Sequence, residues 1–533
     1  MLRMDLVRTL PELMAERARQ HPGKTAFVDD NRSVTYPALL ENTARLAGHL
    51  QEIGLGGGQC ALILMGNSVE VVESYLAVPR AGGIAVCANA ASALPELAHI
   101  FSDCAARVVI TDDAHVEAVH HLVAGSPGVR VIVASPAKAG SPADAHTGGL
   151  HAGDLRYSDL LVAGAPAPRD CLGLDDTAWM LYTSGTTGRP KGVYLTQRGC
   201  LWDVAAAFEA MVELGPDDVM LSPLPLFHSY ALVLTVIGIT ALGATARILP
   251  RFSVQDVFER FRHPGDEGPA TIFAGVPTMF HHLVERAGAG GLGAPALKRC
   301  MSAGAIMPAA LNQRFEEAFG VPLLDGYGIT ETSTMVTMNT ARGTRVMGSC
   351  GFPLLGLGVR LVDPISGRDV LPDEEGELWV QGPIVTPGYH NNPEATAAAI
   401  VDGWYHTGDL ARRDQHGYLR ITGRTKELII RGGENIYPAE VEDALLACEA
   451  VRDAAVVGAA HEAYGEVPVA FVVAQSPGAL DVDAVLGECR QRLSAHKLPA
   501  EIHEIDEIPR TGSGKILRFR LQQLLPDLHK ITS

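Results

Sequence analysis

The sequence predicts an α/β protein that turns β-rich and then α+β towards its C-terminus, and three observations predict it. Short apolar runs alternate with helical stretches up to about residue 330, the pattern of parallel strands covered on both faces by helices. From 345 to 423 the runs shorten and Gly/Pro turns separate them. From about 424 a tail of mixed helix and strand follows, large enough to be a domain of its own. At 533 residues the chain is too long for one ordinary core; at ~150 residues per domain it holds roughly three or four compact units.

In chain order, apolar residues at helical spacing give a helix over Leu10–Gln20. Strand-like runs follow at Thr25–Val28, Ala61–Leu64, Val108–Thr111 and Val131–Val133, with helices Tyr36–Ile53 and Val69–Ala77 between them. Residues 135–168, rich in Ala, Gly, Pro and Ser, read as a long surface excursion with little core of its own. A second α/β tract from about 176 to 330 carries strands at Trp179–Thr183, Thr271–Ala274, Arg299–Ser302 and Pro322–Leu324. The β-rich part has runs at Val359–Val362, Glu377–Val380 and Tyr418–Ile421. The tail reads as helix Pro438–Ala447, strands Ala454–Val457 and Val469–Val473, and helix Val482–Leu493. The joint between the two falls at Gly423-Arg424-Thr425-Lys426.

Hydrophobic residues make up 47% and charged residues 20%, which excludes wholesale disorder. The net charge of −18 repels nucleic acid and anionic membrane, so a phosphate-bearing ligand has to meet cations or backbone N–H groups placed locally. There are eight lysines, which makes each of them conspicuous. The nine cysteines are spread singly without a C-x-x-C, which argues against disulfides or zinc and for a reducing, cytoplasmic setting. The N-terminal stretch has no signal-peptide apolar core. Leu221–Ala246 carries no formal charge, yet its Pro, His and Gly residues mark a buried core segment, so no membrane span is expected.

The strongest local signal is residues 181–192, Leu-Tyr-Thr-Ser-Gly-Thr-Thr-Gly-Arg-Pro-Lys-Gly. A strand feeds a loop whose glycines let backbone amides approach closely, and whose hydroxyls and lysine suit phosphate oxygens. It is not a Walker A loop, because Lys191 follows Pro190; Gly512-Ser513-Gly514-Lys515 fails the same test at Pro509. The bland alternative for either, taken alone, is a flexible Gly/Ser loop. Asp325-Gly326-Tyr327-Gly328-Ile329-Thr330-Glu331 then offers an aromatic face, a hydroxyl and a carboxylate. Tyr405-His406-Thr407-Gly408-Asp409 offers an acceptor for ribose hydroxyls, and Arg424 a forked donor. Together these form the inventory for a nucleoside triphosphate with magnesium.

With these segments in hand the chain resembles, over essentially its whole length, the adenylate-forming superfamily: acyl-CoA synthetases, aryl-CoA ligases such as 4-coumarate:CoA ligase, peptide-synthetase adenylation domains and luciferases. The matching segments are YTSGTTGRPKG (182–192), PLFHSYA (225–231), GVPTMF (275–280), MSAGA (301–305), DGYGITE (325–331), GELWVQGP (376–383), YHTGDL (405–410), GRTKELIIRGGENIYPAEVE (423–442) and PRTGSGKILR (509–518). The resemblance implies an N-terminal domain, 1–423, of two doubly wound α/β subdomains and a small β-rich one, binding ATP and the acyl group. A mobile α+β domain, 424–533, would follow. It implies that Thr183, Ser184, Gly185, Thr186, Thr187 and Lys191 hold the β- and γ-phosphates. Tyr327 would pack on adenine within Asp325, Gly326 and Gly328, with Ala303, Gly304 and Ala305 along the base. Thr330 would meet the α-phosphate, Glu331 with Thr183 would bind Mg2+, and Asp409 and Arg424 the ribose. Lys515 would be the cation between attacking carboxylate and α-phosphate, and Lys426 the hinge. Gly432 and Gly433 would face CoA, and Arg431 either meets a CoA phosphate or is an ordinary exposed arginine. His228 would gate the acyl and thiol approach.

By the same resemblance the acyl pocket takes His228, Tyr230, Val276, Met279, His282, Gly304, Gly328 and Met335. This mostly apolar set favours an apolar or arylacrylic acid and has no arginine for a second carboxylate. PLFHSYA is similar to the corresponding stretch of 4-coumarate:CoA ligases. The sequence departs from the family pattern at Gln197, Gly199 and Ile306, as a specialised secondary-metabolic relative would. The expected function is ATP-dependent activation of a carboxylic acid and thioester formation with CoA. Left open are a carrier-protein thiol as acceptor, nitrite activation for diazotising an aryl amine, and a homodimer.

Overall fold

The computed structural model describes residues 2–135, 150–162, 164–184, 190–287, 294–432, 434–461, 464–476, 478, 480–510 and 516–528. Among them the strands form four sheets. The nine-stranded sheet runs, edge to edge, Phe352–Pro353, Thr337–Met338, Leu323–Tyr327, Arg299–Ser302, Ile272–Gly275, Val219–Ser222, Thr245–Ile248, Thr25–Val28 and Ser33–Thr35. The seven-stranded sheet runs Leu155–Arg156, Arg130–Ala134, Val108–Asp112, Cys60–Leu64, Ile84–Cys87, Thr177–Ser184 and Pro190–Thr196. The strands from Leu323–Tyr327 to Thr25–Val28 in the first sheet, and from Leu155–Arg156 to Thr177–Ser184 in the second, are parallel and mostly apolar, as befits strands covered on both faces.

The two α/β tracts exist, but the strands are shared out differently from their sequence order. Thr25–Val28 pairs with Thr245–Ile248 in the nine-stranded sheet, and Thr177–Ser184 pairs with Ile84–Cys87 in the seven-stranded one. Apolar runs specify that a segment is a buried strand; they do not specify its neighbour, which is a long-range choice. The helix Val69–Arg80 is buried at every position, consistent with an apolar surface on nearly all sides. Its Glu73 is neutralised by Arg32 and hydrogen-bonded by Asn42 and by Tyr157, which anchors the 150–162 segment. Residues 221–246 complete one strand, run through buried helical turns and enter the next strand. No helix among the described residues is long and apolar enough to cross a membrane. All nine cysteines are unpaired, and eight are buried.

The β-rich part is a five-stranded antiparallel sheet, Gly358–Val362, Glu375–Gln381, Trp404–Arg413 and Ile400–Val401, with Leu419–Arg424 on Trp404–Arg413. The expected domain boundary falls at the end of Leu419–Arg424. The next sheet begins at Ile429 and runs Glu434–Ile436, Ile429–Arg431, Gly465–Ala474, Val451–His461, with Glu501–Glu504 added in parallel to Gly465–Ala474. Helices Pro438–Leu446 and Val482–Cys489 cover one face of it, and Arg518–Leu528 packs on the other through Leu521 and Leu525.

Two departures from the family pattern have structural reasons. Buried Gln197 accepts the backbone N–H of Leu10 through Oε1 (2.8 Å) and donates through Nε2 to Leu172 and Gly173. It thereby ties the start of the first helix to the strand-to-helix corner. Gly199 leaves no room for a side chain, because a Cβ there would sit 2.3 Å from Ser333 Oγ. Gln197→Ala strands the buried Leu10 amide without its acceptor. It is expected to lower stability by about 1–3 kcal/mol, measured by denaturant unfolding; an unchanged midpoint would refute the role.

Candidate active site

Four neighbouring parallel strands set the site. Val219–Ser222, Ile272–Gly275, Arg299–Ser302 and Leu323–Tyr327 pair in register, Leu221 with Phe273, Gly275 with Ser302 and Ser302 with Asp325, so their carboxyl ends align. The residues immediately after each strand then share one edge, where open α/β sheets bind ligands. A narrow crevice there is lined by Leu224, Pro225, His228, Tyr230, Ala231, Val276, Met279 and Gly304. Five expected wall residues, His228, Tyr230, Val276, Met279 and Gly304, are thus brought together. Leu224 and Pro225 were not anticipated as walls, although both lie in the strand-end loop that carries His228.

Three expected residues do not line the crevice. The helix Pro277–Ala287 buries Phe280, Leu283 and Val284, so its 3.6-residue period turns His282 outward, where it lies 3.4 Å from Glu285. Gly328 and Met335 sit behind the strand end. A Cβ on Gly328 would be 1.5 Å from the Thr334 carbonyl oxygen, and Met335 is buried against Gly326.

His228 precedes a helical turn, and its Nδ1 accepts the N–H of Tyr230 at 3.2 Å. Thr330 Oγ1 lies 3.5 Å from Ser229 Oγ. Three buried polar atoms near this edge, Tyr230 Oη, Ser302 Oγ and Asp325 Oδ1, make no hydrogen bond. Burial pushes the Asp325 carboxyl well above the usual carboxylate range and the Tyr230 phenol well above its own.

The nucleotide-type motifs adjoin the same edge. Thr177–Ser184 and Pro190–Thr196 form a hairpin in which Thr183 faces Lys191 and Ser184 faces Pro190. Gly185, Thr186 and Thr187, and the side chain of Ser184, lie outside the described residues. Tyr327, on the last strand, donates its hydroxyl to Asp409, whose other oxygen is 2.9 Å from Arg424 Nε. Asp409 and Arg424 are register partners on adjacent strands, so three residues spread over 327–424 form one chain of hydrogen bonds. Ala303, Gly304 and Ala305 follow the strand Arg299–Ser302, and Gly304 has a positive φ of 88°. Glu331 accepts from the Tyr389 hydroxyl at 3.1 Å. Lys426 is exposed just beyond Arg424. Arg431 is engaged inside the C-terminal part, donating to the His496 carbonyl at 2.8 Å and lying over the Tyr464 ring. Gly432 is described with a positive φ of 59°; Gly433 and Lys515 lie outside the described residues.

Asp203 was not anticipated. It is completely buried, and its Oδ2 accepts the N–H groups of Thr334 (2.9 Å) and Met335 (3.0 Å). Ser333, at a positive φ of 60°, is held by its Oγ donating to the Ile384 carbonyl. One buried carboxyl thus fixes the strained return of the chain behind the 325–331 loop.

The AMP-binding enzyme model matches residues 14–390, and the AMP-binding enzyme C-terminal domain model matches 440–515. The chain belongs to the AMP-binding enzyme family. Within this adenylate-forming superfamily it falls on the acyl- and aryl-CoA ligase branch. It is 35% identical over 508 residues to a feruloyl-CoA synthase from Amycolatopsis sp, covering 95% of this chain and 97% of that one. It is also 35% identical over 529 residues to a naringenin synthase from Pestalotiopsis fici; that match takes in 96% of this chain but spans only 19% of that much longer protein. The fold superposes on the crystal structure of ATP-bound MatB from Rhodopseudomonas palustris with a TM-score of 0.87 at 29% identity, covering 97% of this chain and 99% of that one.

Burial raises the folded-state pKa of Asp203 well above its unfolded value of about 4. The folded state therefore holds this proton more tightly. Above the unfolded value, parent stability falls as pH rises until the folded value is passed, at no more than about 1.4 kcal/mol per pH unit. Asn does not titrate. Asp203→Asn is therefore expected to be most destabilising relative to the parent near pH 5 and less so near pH 8, measured by denaturant unfolding at both. A pH-independent difference would contradict a raised folded-state pKa at Asp203.

Proposed function

We propose that the chain is an ATP-dependent acid–thiol ligase of the cytoplasm, joining an apolar or arylacrylic acid to CoA in two steps. Support comes from one juxtaposition above all: an apolar crevice and the Tyr327–Asp409–Arg424 chain border the same strand-end edge. The first holds an acyl group; the second suits an adenosine, with Tyr327 against the base and Asp409 and Arg424 at the ribose. The name of the feruloyl-CoA synthase relative fits an arylacrylic acid and a CoA acceptor. The crevice lining contains no arginine to hold a second carboxylate.

In the first step the carboxylate oxygen attacks the α-phosphorus, the bond to the β-phosphate oxygen breaks, and pyrophosphate leaves. Both reactants are anions, so a cation between them acts mainly in the transition state. Lys515 is assigned that place by its motif. Thr183, Ser184, Gly185, Thr186, Thr187 and Lys191 are assigned the departing phosphates, and Thr330 the α-phosphate. Mg2+ fits the site: it needs only a carboxylate or two beside substrate phosphates, and Glu331, assisted by Thr183, offers that where no larger cluster of acidic, His and Cys ligands occurs among the described residues. Bound there, it would neutralise phosphate charge. In the second step the CoA sulfur attacks the acyl carbon, AMP leaves, and the thiol proton passes to solvent. His228 borders the crevice and would gate that approach. The two steps make conflicting demands on one site. Rotation of the C-terminal part about Lys426 would withdraw Lys515 and bring Gly432 and Gly433 round.

The test is to incubate the protein with ATP, Mg2+ and a panel of acids, including nitrite with aryl amines, with and without CoA, and to follow AMP and product mass. CoA thioesters of apolar or aryl acids are expected; product formed without CoA would overturn the reading in favour of another acceptor. Lys515→Ala is expected to lower adenylate formation by at least about 100-fold while sparing acyl transfer from a preformed adenylate. Equal loss of both steps would contradict its role. Lys426→Pro is expected to slow thioester formation more than adenylation, and equal slowing would argue against a hinge there.

A further inference from the structure

Residues 388–390 lie against the strand that carries Lys191 as an added antiparallel segment. Tyr194 donates its N–H to the Gly388 carbonyl (3.2 Å), His390 donates to the Gly192 carbonyl (2.7 Å), and Val193 bridges Tyr389. On the other side Thr386 donates its N–H to the Glu331 carbonyl at 2.8 Å. The side chain of Tyr389 spans the interval between them. The Lys191 ammonium stands over its ring, 5.4 Å from the centroid, and its hydroxyl reaches Glu331 Oε1 at 3.1 Å. Buried Tyr405 adds its own hydroxyl 3.1 Å from that of Tyr389. One phenol therefore touches both the cation and the carboxylate assigned to the triphosphate, one through its π face and the other through its O–H.

We propose that Tyr389 is a positioning residue for nucleotide binding, setting Glu331 through its hydroxyl and Lys191 through its ring, with Tyr405 orienting that hydroxyl. This rests on the reading of Glu331 and Lys191 as the magnesium and phosphate contacts. Carboxylates are flexible and lysines more so, and both gain affinity when their geometry is fixed before the ligand arrives. The two interactions are separable. Tyr389→Phe removes the hydroxyl and keeps the ring. Tyr389→Leu removes both. Tyr405→Phe leaves Tyr389 intact and removes only its outer partner.

The readout is equilibrium binding of a non-hydrolysable ATP analogue by calorimetry, with Mg2+ varied, alongside KM for ATP and for the acid. Tyr389→Phe is expected to weaken binding roughly tenfold at saturating Mg2+, as loss of a hydrogen bond to a charged group does, and to shift the Mg2+ midpoint upward. Without Mg2+ its affinity should match the parent's, and KM for the acid should move less than about twofold. Tyr389→Leu should add a further loss of roughly threefold that persists without Mg2+, the ring's share. Tyr405→Phe should show the Tyr389→Phe pattern in weaker form, and serves as the test if Tyr389→Phe does not fold. An unchanged Mg2+ midpoint, or an equal loss with and without Mg2+, would overturn the inference. A parent protein that bound no Mg2+–ATP analogue would instead overturn the underlying reading of the site.

Discussion

The parallel register of four strands governs the site. Because Gly275, Ser302 and Asp325 stand level across the nine-stranded sheet, the loops that leave each strand emerge side by side, and residues a hundred positions apart become neighbours. A slip of one residue in any pair would reverse which side chains face the core and would carry His228, Met279 or Gly304 away from the crevice. The strands are apolar on both faces, so burial holds them inside the sheet, and the fit of individual side chains against the covering helices selects the register. The site is a by-product of that burial and needs no separate device to assemble its walls.

What burial cannot supply is a place for anions in a chain with a net charge of −18. The structure answers locally. Asp409 is paired to Arg424 and hydrogen-bonded by Tyr327, and Glu331 is hydrogen-bonded by Tyr389, so the carboxylates nearest the nucleotide motifs are already engaged. Burial disfavours the charged form of Asp203 and Asp325 and pushes both carboxyls above the usual carboxylate range. The general repulsion of the surface is screened within a few ångströms, on the order of the ~8 Å Debye length, whereas these contacts act at bonding distance.

The sequence was informative wherever a feature is local. Arg299–Ser302 was legible to the residue, because an apolar run bounded by turns has few alternatives. The approach of 327, 409 and 424 could be anticipated only through family resemblance, since nothing in their spacing brings three strands together. Strand partners were illegible: Thr25–Val28 and Thr177–Ser184 each joined the sheet not expected of them, because one apolar run offers the same hydrogen bonds to any neighbour. His282 was misplaced for a local reason. Reading a wall from a segment ignores the helical period, which sends neighbouring residues within one turn of Pro277–Ala287 to different sides. Tyr389 and Asp203 carried no signal of their own, since a tyrosine after glycine and an aspartate inside an apolar helix gain meaning only from what lies across from them.

The backbone also constrains where the two parts of the chain can turn against each other. Arg424 is the last residue of a strand whose ladder pairs it with Asp409, and its guanidinium grips the same aspartate. Any pivot before Arg424 would break that ladder and the ion pair together. After it the chain makes a turn, with Glu427 donating to the Arg424 carbonyl, before the next sheet begins at Ile429. A pivot at Lys426, as proposed, would leave Arg424 with the nucleotide side of the site, and would have to undo that turn together with the contacts of helix Pro438–Leu446 against Leu419–Arg424. Ribose contacts could then persist while the C-terminal part changes position, which is what two successive reactions on one bound adenylate require.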